Sequence, residues 1–241
     1  MCAAGQLALN GRLEDQASES RLGMSDPWPA ISDAGECPPF AVLLGPDYAG
    51  KSSVMAELRA TVPDWHLVSV DAPFVPAEHA VLSQLKRVLV HDSLGTAFSA
   101  DFTLSLAQTA VVYLRDRILA ADGRTPVVID SYYYKILAKC QLVGADEHPM
   151  FTWWRSFPQP RHVLYLEVAP DVAWTRSAAS VNRLEHYGDD PNRDAFESFQ
   201  SDLHKLMLDE VRHLPVTRLP KRGDIAETAR EVRKVLSGDR S

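Results

Sequence analysis

Cysteine is scarce. The 241 residues hold three, Cys2, Cys37 and Cys140, without paired spacing. That argues against a disulfide framework or a zinc site and points to a reducing, cytoplasmic setting. No apolar run approaches the roughly eighteen residues of a bilayer-spanning helix, so no membrane partner is expected. The N-terminus lacks the basic, then apolar, then small-residue order of a secretion signal. Positive charge is short, with 25 Lys and Arg against 32 Asp and Glu and a net charge of −7. That disfavours nucleic acid as a partner. The 8 histidines show no metal-ligand spacing and adjoin no Ser or Cys nucleophile pattern. No internal repeat is visible.

What remains is an ordinary globular composition, long enough for one domain with a sizeable core. Residues 1–37 lack periodic apolar pattern and are rich in Gly, Ser, Asp, Glu and Pro. They read as a flexible N-terminal extension, ahead of a domain over 38–241. From Phe40 the pattern changes. Apolar runs predict strands over 40–44, 66–70, 126–130, 162–168 and 215–219. Helices are expected over about 50–60, 78–90, 102–121 and 134–143, from Pro170, along Phe196–Met207 and after Asp224. Residues 144–161, with three prolines and several aromatics, read as a loop. Short apolar strands alternating with helices imply an α/β fold, a parallel sheet with helices on both faces. In such sheets ligands bind beyond the strand C-termini.

The first strand runs into Gly45-Pro46-Asp47-Tyr48-Ala49-Gly50-Lys51-Ser52-Ser53, which fits G-x-x-x-x-G-K-[ST]. Its glycines let successive backbone N–H groups turn inward onto phosphate oxygens. The following helix adds its positive dipole end. Gly45, Asp47, Ala49, Gly50, Lys51, Ser52 and Ser53 are therefore the expected nucleotide-binding residues. Lys51 reaches the β- and γ-phosphates, and Ser52 faces Mg²⁺.

Other candidates follow the remaining strands. Asp130 suits a Mg²⁺ site or a helix cap. Asp47 lies inside the loop, where a negative charge beside phosphates is costly. Its carboxylate is therefore expected to point towards an acceptor hydroxyl or a cation, or else serves the turn after Pro46. Asp71 is either a general base or an Asx turn before Pro73. Arg176, Arg183 and Arg193 suit a mobile lid over phosphates, or surface salt bridges. Tyr132, Tyr133 and Tyr134, with Trp153 and Trp154, offer a stacking pocket or core packing.

These residues together resemble the thymidylate kinases. The Gly45–Ser53 loop is similar to that family's G-x-D-G-x-G-K-S-T. Val127-Val128-Ile129-Asp130-Ser131-Tyr132 resembles its strand ending in Asp-Arg-Tyr, and His162–Ala173 resembles its fourth strand and next helix. Arg183-Leu184-Glu185 followed by Phe196 resembles its lid. The resemblance implies a P-loop NTPase three-layer α/β/α sandwich with a five-stranded sheet of order 2-3-1-4-5. It also implies ATP with Mg²⁺ as donor and a possible homodimer through the long helices. By motif position Asp47 would meet the acceptor's sugar hydroxyl, and Asp130 the metal and acceptor.

Three departures bear on the acceptor. The Arg of Asp-Arg-Tyr is Ser131. The helix Arg that holds the acceptor phosphate falls at Gln108 or Thr109. The Arg usual after strand 2 is replaced around Asp71. Losing those cations and gaining an acid disfavours a dianionic acceptor. An acid after strand 2 is instead similar to nucleoside kinases. The expectation is an ATP-dependent kinase with a nucleoside-like or other small hydroxyl acceptor. Two alternatives stay open. One is a dTMP or nucleoside monophosphate kinase whose clamp comes from Arg115, Arg117 or Arg155. The other is an ATP-hydrolysing regulatory protein.

Overall fold

The structure is a computed structural model and describes residues 37–90, 98–145, 148–178, 180–220 and 224–238. The expected extension, 1–37, lies outside the described residues except for Cys37. The strands are β1 (Phe40–Leu44), β2 (His66–Val68), β3 (Val127–Asp130), β4 (His162–Glu167) and β5 (Val216–Pro220). All pair in parallel, in the order β2-β3-β1-β4-β5, the order the family resemblance implied. The helices are α1 (Lys51–Thr61), α2 (Val81–Val90), α3 (Ala100–Leu119), α4 (Tyr134–Leu142), α5 (Pro149–Arg155), α6 (Pro170–Ser177), α7 (Arg193–Glu210) and α8 (Ile225–Leu236). Two 3₁₀ turns, Ala72–Phe74 and Ala77–His79, lead from β2 to α2.

Side chains alternate across the sheet. Phe40, Val42, Leu44, Val127, Ile129, Val163 and Tyr165 face one layer, built from α3, α4 and α7. Ala41, Leu43, Val128, Leu164 and Leu166 face the other, built from α1 and α8. The central strand is therefore apolar at every position and buried throughout. Each such Val or Leu contributes about 1.5–3 kcal/mol by leaving water. In α3 the apolar residues Ala107, Val111, Leu114 and Ile118 recur at i, i+4, i+7 and i+11, which predicts one core-facing stripe, and all four are buried.

Two expectations need correction. Residues 149–155 form a helix, not loop. Pro149 takes a first-turn position, where its missing N–H costs nothing. The His148 side chain accepts a hydrogen bond from Met150 N, and Phe151 and Trp154, three apart, bury one face. The spacing of Ile225, Ala229, Val232 and Leu236 predicts one buried face for the last helix; Ala229 and Val232 are buried, but Ile225 is 45% exposed. It lies in the first turn after the Asp224 cap, whose carboxylate accepts from Glu227 N at 2.7 Å.

The register sets the site. Leu43 pairs with Asp130, so the end of β1 and the acid of β3 lie side by side. The chain turns immediately after β1 because Gly45 has φ +154 and sits against β4. A Cβ there would lie 2.6 Å from the Leu166 carbonyl oxygen. Gly45→Ala is expected to displace the loop and cost about 2 kcal/mol, read as a lowered Tm with weakened nucleotide binding.

Candidate functional site

A cavity of about 730 Å³ opens at the C-terminal end of the sheet and contains most of the loop, Asp47–Ser53. The loop closes on itself. Lys51 Nζ donates to the carbonyls of Gly45 and Pro46, both at 3.0 Å, which holds the ammonium inside the curl. Burial and the neighbouring Lys135 charge pull its pKa down to about 7, against the opposing pull of Asp130 and Asp47. A polyphosphate oxygen at this point would restore the full charge.

Asp47 points away from the phosphate side and meets cations. Its Oδ1 lies 2.6 Å from Lys135 Nζ, and its Oδ2 lies 2.9 Å from Lys139 Nζ. Gln200 closes the cluster from α7. Its Nε2 donates to Asp47 Oδ2 at 2.9 Å, and its Oε1 accepts from Asp47 N at 3.0 Å. Burial opposes ionisation of Asp47. The two lysine charges override it and hold the carboxyl well below the usual range. Lys135 is raised, because Asp47 outweighs its burial. Lys139 is lowered, because burial and the Lys135 charge win there. Lys135 is thus the firmer partner. The sequence reasoning missed both lysines and Gln200. The available signal was the four-residue spacing of Lys135 and Lys139 on the helix directly after Asp130.

Asp71 sits on the opposite side of the loop. Ser52 Oγ donates to its Oδ2 at 2.7 Å, and Lys86 of α2 pairs with its Oδ1. Burial pushes Asp71 up, but the Lys86 charge and the Lys86 and Ser52 hydrogen bonds carry it below its ordinary value. Asp130 accepts from Ser131 Oγ at 2.8 Å and from Ser69 Oγ at 3.1 Å. Ser69 Oγ in turn accepts from Asp71 N at 3.1 Å. Ser69 therefore fixes the two acids relative to each other.

Among the described residues, no group of three or more His, Cys, Asp or Glu could hold a metal alone. Mg²⁺ held by one or two protein oxygens plus phosphate and water does not need such a cage. The donors Ser52 and Asp130 are both oxygen, which fits that mode.

The lid candidates separate. Arg176 lines the cavity and donates to the Tyr48 carbonyl at 2.8 Å. Arg183 is exposed and is not among the cavity-lining residues. Arg193 pairs with Glu197 at 2.6 Å on the surface. Tyr48, which takes the place of a family Gly, adopts φ 59, a left-handed backbone that costs a non-Gly residue about 1–2 kcal/mol. Its hydroxyl donates to Glu185 Oε2 at 2.9 Å, which ties the 180–185 segment to the loop. Tyr48→Phe is expected to raise amide hydrogen exchange across 180–185 several-fold with little change in Tm. Unchanged exchange there would refute the tie.

The aromatic run is mostly core. Tyr133, Tyr134 and Trp154 are fully buried, and Trp153 is exposed. Tyr132 borders the cavity, but its ring packs edge-on against Phe40 at 5.7 Å, and its buried hydroxyl has no partner among the described residues. Ser131 and Tyr132 both have positive φ, 59 and 46, a strained turn of the kind found at functional sites. Gln108 does not line the cavity; it accepts from Trp154 Nε1 at 2.5 Å. The three arginines considered as a substitute clamp also lie elsewhere. Arg115 holds Asp116 at 2.8 Å and lies over the Phe157 ring. Arg155 pairs with Glu210, and Arg117 lies near His66.

No protein-family model matches the sequence, and no curated protein matches it. Solved structures do match in fold. Thymidylate kinase from Candida albicans superposes with a TM-score of 0.56 at 13% identity, over 83% of this chain and 92% of that one. Deoxyadenosine kinase from M. mycoides, with bound dATP, superposes with a TM-score of 0.54 at 12% identity, over 83% and 99% of the two chains. The described domain therefore has the P-loop α/β/α fold that these nucleotide and nucleoside kinases share.

Proposed function

We propose that this chain is an ATP-dependent phosphotransferase that passes the γ-phosphoryl group to a hydroxyl of a small acceptor. The observation that carries the reading is one continuous cavity. It holds the phosphate loop with Lys51 and, beside it, the carboxylates Asp71 and Asp130. The resemblance in fold to nucleoside and nucleotide kinases supports it.

Phosphoryl transfer needs positioning and charge stabilisation more than covalent help. The loop N–H groups and Lys51 hold the triphosphate, and Arg176 covers it from the lid side. Ser52 and Asp130 would hold Mg²⁺, which would supply neutralisation of phosphate charge when bound. Of the two candidate bases, Asp71 is the better. Asp47 and Asp71 both have their oxygens paired, Asp71 with Lys86 and Ser52. The Asp71 side chain is 21% exposed, whereas that of Asp47 is 9% exposed and held by Lys135, Lys139 and Gln200. Asp47 therefore anchors the loop rather than moving a proton. A hydroxyl acceptor is favoured over dTMP because Arg115, Arg117 and Arg155 do not line the cavity. Regulatory hydrolysis is the reading the test must exclude.

The test is ADP release with and without acceptor, together with identification of the phosphorylated product. Asp71→Asn is expected to lower the acceptor-dependent rate by about 10²–10⁴-fold while changing ATP affinity less than threefold. An equal loss of ATP affinity would make Asp71 structural. Hydrolysis indifferent to every acceptor would overturn the kinase reading.

A further inference from the structure

Every α3 residue that lines the cavity is apolar: Leu106, Ala107, Ala110, Val111 and Leu114. They recur at one, four, five and eight positions from Leu106, one helical face. Ile136 of α4 continues the wall. Three polar side chains of α3 that flank that face are committed elsewhere. Gln108 accepts from Trp154 Nε1 at 2.5 Å, Thr109 Oγ1 donates to Ser105 O at 3.1 Å, and Arg115 holds Asp116. Ala107, Val111 and Leu114 are 2–3% exposed, so a ligand would meet the wall chiefly at the half-buried Leu106 and Ala110.

A nucleobase presents donors and acceptors on its edge. Against this wall they would lose water without gaining a hydrogen-bond partner on it, which is unfavourable for binding. An apolar body loses nothing there and gains by burial. The lysines that line the cavity beyond Lys51 are already paired, Lys135 and Lys139 with Asp47 and Lys86 with Asp71, so they do not ask for a charged acceptor.

We propose that the α3 wall receives the body of an uncharged, apolar alcohol, and that this alcohol rather than a nucleoside is the phosphoryl acceptor. This rests on the kinase reading above and narrows its substrate class. The alcohol oxygen forms a bond to the γ-phosphorus of ATP as the bond to the β–γ bridging oxygen breaks. ADP leaves, and the hydroxyl proton passes to a site carboxylate.

The test uses the full chain with 2-naphthylmethanol as a fluorescent aromatic alcohol, and with thymidine and deoxyadenosine as nucleosides. With ADP present, 2-naphthylmethanol is expected to bind saturably. With ATP, it is expected to be phosphorylated at least about tenfold faster than either nucleoside at equal concentration. Ala110→Phe places a ring where the ligand would meet the wall and is expected to abolish naphthylmethanol binding with ADP affinity and Tm unchanged. Absent or Ala110→Phe-insensitive binding overturns the proposal, as does faster turnover of a nucleoside. Saturable, variant-sensitive binding with no phosphate transfer to any acceptor overturns the kinase reading and leaves the ligand class of the wall standing.

Discussion

Lys51→Ala is expected to lower the single-turnover phosphoryl-transfer rate by about 10²–10³-fold while the protein keeps its Tm and circular dichroism. Catalysis of this reaction comes from preorganised positive charge, so a single well-placed cation carries much of it. In the unliganded loop Lys51 Nζ is held by two carbonyls at 3.0 Å, from Gly45 and Pro46. That keeps the ammonium at the cavity floor before any nucleotide arrives. Removing it leaves those carbonyls beside an open cavity that water can enter, so folding suffers little. ADP affinity is expected to fall less than turnover, because the loop N–H groups remain. The measurement is rapid quench with ADP binding followed in parallel. Near-normal turnover would remove Lys51 from the site. A collapse of Tm would make its role structural.

The donor half of this site was legible because it is local. Nine consecutive residues, Gly45–Ser53, contain the turn glycines, the cation and the hydroxyl, and the apolar strand before them runs Phe40–Leu44 as the pattern predicts. Strand and helix alternation gave the α/β class, and the family resemblance gave the sheet order. Residues 149–155 escape a reading of the 144–161 prolines as helix breakers, because Pro149, the one proline among them, stands in the first turn, where a helix tolerates it. The partners of Asp47 were hidden for another reason. Lys139 lies 92 residues away and Gln200 lies 153 away; the four-residue spacing of Lys135 and Lys139 marks a shared helix face but does not say what that face meets. The expectation that Asp47 meets an acceptor hydroxyl or a cation followed from charge alone. Only the packing of α4 and α7 places two lysines and an amide on it.

Those partners set the second large expected effect. Asp47→Asn should destabilise the protein by about 3–5 kcal/mol, a fall in Tm on the order of 10 °C for a domain of this size. The carboxylate is 7% exposed, and removing its charge leaves Lys135 and Lys139 buried beside Lys51 with little to balance them. The pH dependence follows from the depressed pKa of Asp47. An unfolded aspartate titrates near about 3.9. The folded group stays ionised far below that, so its contribution is complete above about pH 5 and is lost as pH falls through and below the unfolded value. Wild-type stability should therefore drop more steeply on acidification than that of Asp47→Asn, and the gap between them should narrow towards pH 2. Adding Lys139→Met to Asp47→Asn should recover part of the loss, since a buried cation without a partner costs more than an apolar side chain of similar length. The same change alone should cost less than Lys135→Met, because Lys135 is the lysine whose charge Asp47 stabilises despite burial. Denaturant melts of the four variants at pH 7 and pH 3 decide the matter. A pH-independent difference of under 1 kcal/mol between wild type and Asp47→Asn would mean that packing around Gln200, and not the ion cluster, holds the loop in place.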